Sequence, residues 1–144
     1  MNSKLVLQLS LFGLAMAFAT VFFIPANVEP LCWLVIFVLC AYIIAARDTP
    51  RPFLHGLAIG VVNSVWITVA HVAFYARYIA AHPREAEMVR NAPMSPRLMM
   101  ALTGPVIGVI SGVVLGLFAL VAVRLLRPRL TRSSVEDSSA ARTS

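Results

Sequence analysis

Acidic side chains are scarce in this chain: it has 6 Asp and Glu against 12 Lys and Arg, with a formal net charge of +6. No Asp or Glu falls inside any of its long apolar stretches. Proton-coupled cation transport generally relies on such an intramembrane carboxylate, so its absence argues against a small multidrug exporter of this size. Charge of either sign is thin, at 12% of residues against 60% hydrophobic. Soluble domains carry about 25% charged residues. This chain has too little polar surface to coat a globule in water, and the mean hydropathy of +0.85 agrees.

Cysteine is nearly absent, with 2 in the chain and no CxxC. Cys32 and Cys40 share one apolar stretch, where eight residues of helix separate them by about 12 Å, too far to bridge. They read as small apolar side chains, not a redox pair. Walker motifs, HExxH, glycine-rich nucleotide loops and paired catalytic carboxylates are also missing. No cofactor or bound metal is expected. The Arg residues sit at segment ends and in the tail without interleaved aromatics, so a nucleic acid partner is not expected either.

What remains is four apolar runs. The first spans 5–24, about 30 Å as helix, one hydrocarbon thickness. Lys4, the run from Leu5 and the Ala17-Phe18-Ala19 triplet also fit a signal peptide, but the apolar run continues through Val21 to Ile24, which favours a retained helix. Pro25 to Pro30 forces a tight return. The second run, 31–46, carries Trp33 and Tyr42 near its two ends, where interfacial aromatics sit. A polar turn, Arg47 to Pro52, leads to the third run, 54–81. The loop 82–97 contains Pro83-Arg84-Glu85-Ala86-Glu87-Met88-Val89-Arg90, enough good helix formers for two exposed turns before Pro93 and Pro96 break any continuation. The fourth run spans 98–126. Residues 127–144, Arg-rich and then Ser/Ala-rich, are expected as a disordered cytoplasmic tail. No internal repeat is present.

The expected fold is therefore an all-α integral membrane protein, four transmembrane helices in an antiparallel bundle over residues 1–126. Lys4, Arg47, Arg51, Arg124, Arg127, Arg129 and Arg132 collect on one side. Arg77, Arg84, Arg90 and Arg97 collect on the other. The positive-inside rule then puts both termini in the cytoplasm of a multi-pass cell-membrane protein, such as one of a bacterial inner membrane.

Two features stand out within this scaffold. Gly104, Gly108, Gly112 and Gly116 recur every four residues along the fourth run, a small-xxx-small surface that lets another helix approach backbone to backbone, in this chain or in a second copy. Gly104-Pro105 marks a kink or a late helix start. The third run carries the chain's only polar stripe. At about 100° per residue, Gly56, Gly60, Asn63, Ser64, Thr68, His71, Tyr75 and Tyr78 fall within about 140° of arc, while Val61, Val65 and Val69 face the other way.

Asn63, Ser64, Thr68 and His71 are the candidate site, a polar intramembrane face. An amide near mid-membrane needs partners, so Asn63 is either an interhelical hydrogen bond or a ligand contact. His71 is the only ionisable group well inside an apolar run; it is either functional or a neutral imidazole bonded to a neighbouring hydroxyl or carbonyl. Ser64 and His71 stand about 10 Å apart along a helix, too far for a catalytic pair. His55 and His82 lie near the ends of the same helix as His71, which excludes a bis-His haem site. Met88, Met94, Met99, Met100 and His82 offer soft ligands in the outer loop, but follow no metal-binding spacing. The leading expectation is a non-enzymatic subunit or homo-oligomer packed through glycine faces, with lipid and a like or unlike membrane protein as partners. A transporter or channel with a polar path along the third helix is the alternative. A membrane-embedded, lipid-acting enzyme is a weaker third.

Overall fold

The computed structural model describes residues 1–91 and 93–140, with Val89 and residues 127–140 described in backbone only. Helices account for nearly all of it, and no strand occurs among the described residues. In chain order they are α1 (Ser3–Phe22), α2 (Glu29–Ala46), α3 (Pro52–Ala73), α4 (Tyr75–Ala81), α5 (Pro83–Arg90) and α6 (Pro96–Ala140). Four are long and apolar enough to cross a membrane: α1, α2, α3 and the Pro96–Leu126 part of α6.

Local chemistry sets the boundaries. The Asn2 side chain caps α1 by accepting the Leu5 amide at 3.2 Å. The Phe23 and Ile24 amides both return to the Ala19 carbonyl before Pro25 ends the helix. Pro30 sits in the first turn of α2, where its missing N–H costs nothing, and Glu29 lies beside the positive end of the helix dipole. The α2–α3 turn is the one tight spot: Asp48 (φ 44°) and Arg51 (φ 60°) both take left-handed backbone conformations. The Thr49 hydroxyl holds this turn by donating to the Ile44 carbonyl at 3.0 Å.

Two segments differ from the sequence expectation. The third run, read as one helix over 54–81, breaks at Phe74 (φ −102°, ψ 31°) into α3 and α4. No Gly or Pro marks the break. The Phe74 ring instead packs on Phe18 and Phe22 of α1, with centroids 6.2 and 5.4 Å apart, so tertiary contact decides it. The second difference is α6, which continues as helix to Ala140 through the stretch read as a disordered tail. Apart from Pro128, residues 127–140 contain no strong helix breaker. Residues 141–144 of that tail lie outside the described residues.

The helices do not form a symmetric four-way bundle. The α3–α6 contact is the most extensive; α1 packs on the other side of α3, and α2 packs on α6. The seam between α3 and α6 follows the glycines. A Cβ added at Gly116 would strike Phe53, at Gly112 Leu57, at Gly108 Ser64 and at Gly104 Thr68. Rising numbers on α3 thus meet falling numbers on α6. Gly56 and Gly60 supply the same close approach from the α3 side, against the backbones of Gly116 and Gly112. The α6 glycine stripe is used within the chain.

At the Arg47 end, all four long helices converge. Leu5, Val6 and Leu9 meet Cys40, Ala41 and Ile44, with Ile59, Leu115 and Ala119 filling the middle. His55, fully buried, belongs to the same end. Its Nδ1–H donates to the Arg51 carbonyl at 3.1 Å, and its Nε2 accepts the Asn2 amide at 3.0 Å. These bonds tie the first residues of the chain to the start of α3. At the Glu29 end, α2 stands away from α3, and the gap between them is the candidate site.

Candidate functional site

The half-length of α3 beyond Ile59 presents its polar residues in two directions. Ser64 and Thr68 seat against Gly108 and Gly104 of α6. The Ser64 hydroxyl donates back to the Val61 carbonyl at 2.8 Å. Asn63 presses on Gly13 of α1, and His71 reaches Thr20 of α1, Nε2 to Oγ1, at 3.3 Å. The single Thr20 hydroxyl proton is directed at the Met16 and Ala17 carbonyls, at 3.1 and 3.2 Å. His71 Nε2–H is therefore the donor to Thr20. The glycines opposite these side chains are what make room for them.

Two of these groups are left without partners. Asn63 is only 3% exposed, and its Oδ1 has no hydrogen bond. The Thr68 hydroxyl is buried and equally unpaired. Buried polar groups are nearly always satisfied, and each exception asks for an explanation.

Beyond His71, the break at Phe74 turns α4 back over the end of α3. The Tyr78 ring stacks on His71 with centroids 3.9 Å apart, and His82 stacks on the other face of Tyr78 at 4.2 Å. In one unbroken helix His71 and Tyr78 would be about 10 Å apart along the axis. The fully buried His82 donates from Nδ1 to the Tyr78 carbonyl at 2.9 Å, which leaves Nε2 facing Glu29 Oε2 at 3.5 Å. That distance is too long for a good hydrogen bond, and His82 Nε2 has no hydrogen-bond partner. Glu29 Oε1 accepts the Trp33 indole N–H at 3.2 Å, which fixes both side chains. Burial pushes the Tyr78 phenol above its usual range, and the fields of Glu29 and Glu85 push it further.

Together these elements enclose a cavity of about 870 Å³ between α2, α3 and α6, capped by α4 and α5. Trp33, Leu34 and Phe37 form the α2 wall, and Ile107, Ser111, Val114 and Phe118 the α6 wall. Asn63, Ser64, Thr68 and His71 all line the α3 wall. Glu29, Glu85 and Met88 line its α4–α5 end, and Phe37 and Phe118 at the other end pack on the Ile59–Leu115 core. This is the form of a small-molecule site, largely apolar with a few convergent polar groups.

No family model, curated protein or solved structure matches the chain.

The four candidate polar residues of α3 thus share one cavity, but no hydrogen bond joins Ser64 to His71. Among the described residues, no group of three or more His, Cys, Asp or Glu is placed to hold a metal ion. Met88, Met99 and Met100 line the cavity, whereas Met94 does not. Sequence reasoning missed Glu29, Glu85 and Trp33 as members of this site; Tyr78, already on the polar arc, lines it too, and His82 stacks behind Tyr78 without lining it. Glu29 and Glu85 lie in the connections between apolar runs, and no linear spacing links them.

Proposed function

We propose that this chain is a non-enzymatic, multi-pass membrane protein that holds an amphipathic small molecule in the cavity between α2, α3 and α6. The observation that carries this reading is a largely apolar cavity of about 870 Å³ whose α3 wall brings Asn63, Ser64, Thr68 and His71 together. Pockets of about 300–1,000 Å³ with this composition suit drug-sized ligands.

Membrane residence is supported by the outward faces of the four long helices. Leu7, Leu11, Val35, Val38, Val61, Val65, Val69, Val106 and Ile110 are all exposed, an apolar girdle that water would not tolerate. Lipid covers it in an antiparallel bundle with both termini in the cytoplasm, following the Lys and Arg distribution. In that orientation the Glu29 end of the cavity lies at the outer side of the membrane. A retained α1 fits the burial of Leu5, Leu9, Met16 and Val21 and the bond from Asn2 to His55.

A homo-oligomer joined through α6 glycines loses its support, because those glycines already face α3. The closed floor at Ile59 and Leu115 favours a binding or carrier role over an open channel. The test is native mass spectrometry of the full chain released from nanodiscs, beside Ser111→Phe, which fills the cavity from α6. A bound small molecule retained by the wild type and lost from the folded variant is expected. Equal occupancy in both, or none in either, overturns the reading.

A further inference from the structure

The cavity has a charge sign as well as a shape. Among the described residues its charged lining is Glu29 and Glu85, with no Lys or Arg, in a chain whose net charge is +6. The two carboxylates are not equivalent. Glu29 has one oxygen committed to the Trp33 indole, and the other lies 3.5 Å from His82 Nε2. Glu85 Oε2 is buried with no hydrogen-bond partner. A desolvated, unpaired carboxylate oxygen is costly unless a cation joins it. Both carboxylates act on Tyr78, so both lie at the same end of the cavity. Asn63 Oδ1, also unpaired, faces Gly13 of α1, so the demand for a positive charge in the cavity comes from Glu85. The aromatic and aliphatic walls formed by Trp33, Phe37 and Phe118 suit an apolar body below such a head.

We infer that the ligand of this cavity is a lipophilic cation, an ammonium-type head on an apolar body, seated with its head against Glu85 and Glu29. This rests on the cavity being a ligand site, as proposed above. An anionic amphiphile would meet two carboxylates and no countercharge. Glu29 opens α2 and Glu85 lies on α5, so the carboxylates stand at one end of the bundle and not midway along a membrane-spanning helix.

Tetraphenylphosphonium and tetraphenylborate, equal in shape and opposite in charge, are the probes. Equilibrium dialysis uses the full chain in phosphatidylglycerol nanodiscs, with uptake by empty discs subtracted, for wild type, Glu85→Gln and Ser111→Phe. The expected result is phosphonium binding at least about tenfold tighter than borate binding. Glu85→Gln should remove most of that preference, and Ser111→Phe should abolish binding of either probe. Equal binding of the two probes, or a preference untouched by Glu85→Gln, overturns the cationic assignment while leaving the cavity as a site. Binding that is absent from all three proteins, or indifferent to Ser111→Phe, overturns the cavity reading itself. Repetition in phosphatidylcholine discs identifies the source of the cation. Unchanged phosphonium binding supports a free organic cation, whereas exclusion of the probe there means that the lipid's own ammonium fills the site and overturns that assignment.

Discussion

Replacing Gly60 with alanine probes the closest backbone-to-backbone approach in the α3–α6 seam. A Cβ at this position would fall on the Cα and amide nitrogen of Gly112, with the Gly108 carbonyl oxygen 3.0 Å away. All three are backbone atoms and none can rotate aside. The helices must therefore part, and a radial gap of 0.5–1 Å forfeits about a quarter to a half of each affected van der Waals contact. Between membrane helices that packing is the main attraction, since lipid tails are as apolar as the side chains they would replace. Overpacking costs about 1–3 kcal/mol. Alanine returns up to about 1 kcal/mol through its higher helix propensity. With three immovable backbone atoms the cost lies in the upper part of that range, about 2–3 kcal/mol, so the expected net effect is a loss of about 1–2 kcal/mol. Gly104→Ala is the internal comparison: its new methyl would meet the Thr68 side chain, whose hydroxyl can turn away. Its net effect should be smaller. Equilibrium unfolding in mixed micelles, followed by helical ellipticity, measures both. A Gly60→Ala protein as stable as wild type, or less affected than Gly104→Ala, would refute the backbone-contact explanation of the seam.

Other perturbations follow from single contacts. His55→Leu leaves the Asn2 amide without its acceptor and should cost about 1–3 kcal/mol in the same unfolding assay. Arg51→Gly relieves a left-handed residue at φ 60° and should stabilise the chain by about 1 kcal/mol; a destabilised variant would mean that the Arg side chain matters more than its backbone. Phe74→Ala removes two ring contacts with α1, each worth about 0.5–1.5 kcal/mol, and should speed amide exchange in α4 before it affects α3. A fluorescent protein fused after Leu126, which matures only in the cytoplasm, should be bright; a dark but stably expressed fusion contradicts the orientation.

How far the residues reveal the fold depends on the range of the contact involved. Helix positions are visible because length and hydropathy act locally, and the four long apolar helices start and stop within a few residues of the expected positions, except where 54–81 breaks at Phe74 and α6 runs on past Leu126. The stripe from Gly104 to Gly116 is visible as a close-packing surface, and Gly56 and Gly60 on the polar arc of α3 complete it. The break at Phe74 is invisible in the sequence because its cause is an aromatic contact with α1. His55 looks like an end residue off the polar arc until the chain start folds against it. The cavity is the least legible feature. It arises because α2 packs on α6 and barely touches α3, a choice encoded by no single segment, and its carboxylates come from residues far apart in the chain.

The most direct test of an outward-facing ligand cavity is thiol accessibility at Ser111, in a Cys32→Ala, Cys40→Ala background. Ser111 lines the cavity, whereas Val113 is exposed on the outside of the bundle and does not line it. Intact cells and inverted vesicles are treated with a membrane-impermeant maleimide, for Ser111→Cys and for Val113→Cys. The expected result is labelling of Ser111→Cys from the outer side alone, with Val113→Cys shielded by lipid in both preparations. Shielding of Ser111→Cys from both sides, or labelling of it from the cytoplasmic side, would contradict a cavity open to the outer side.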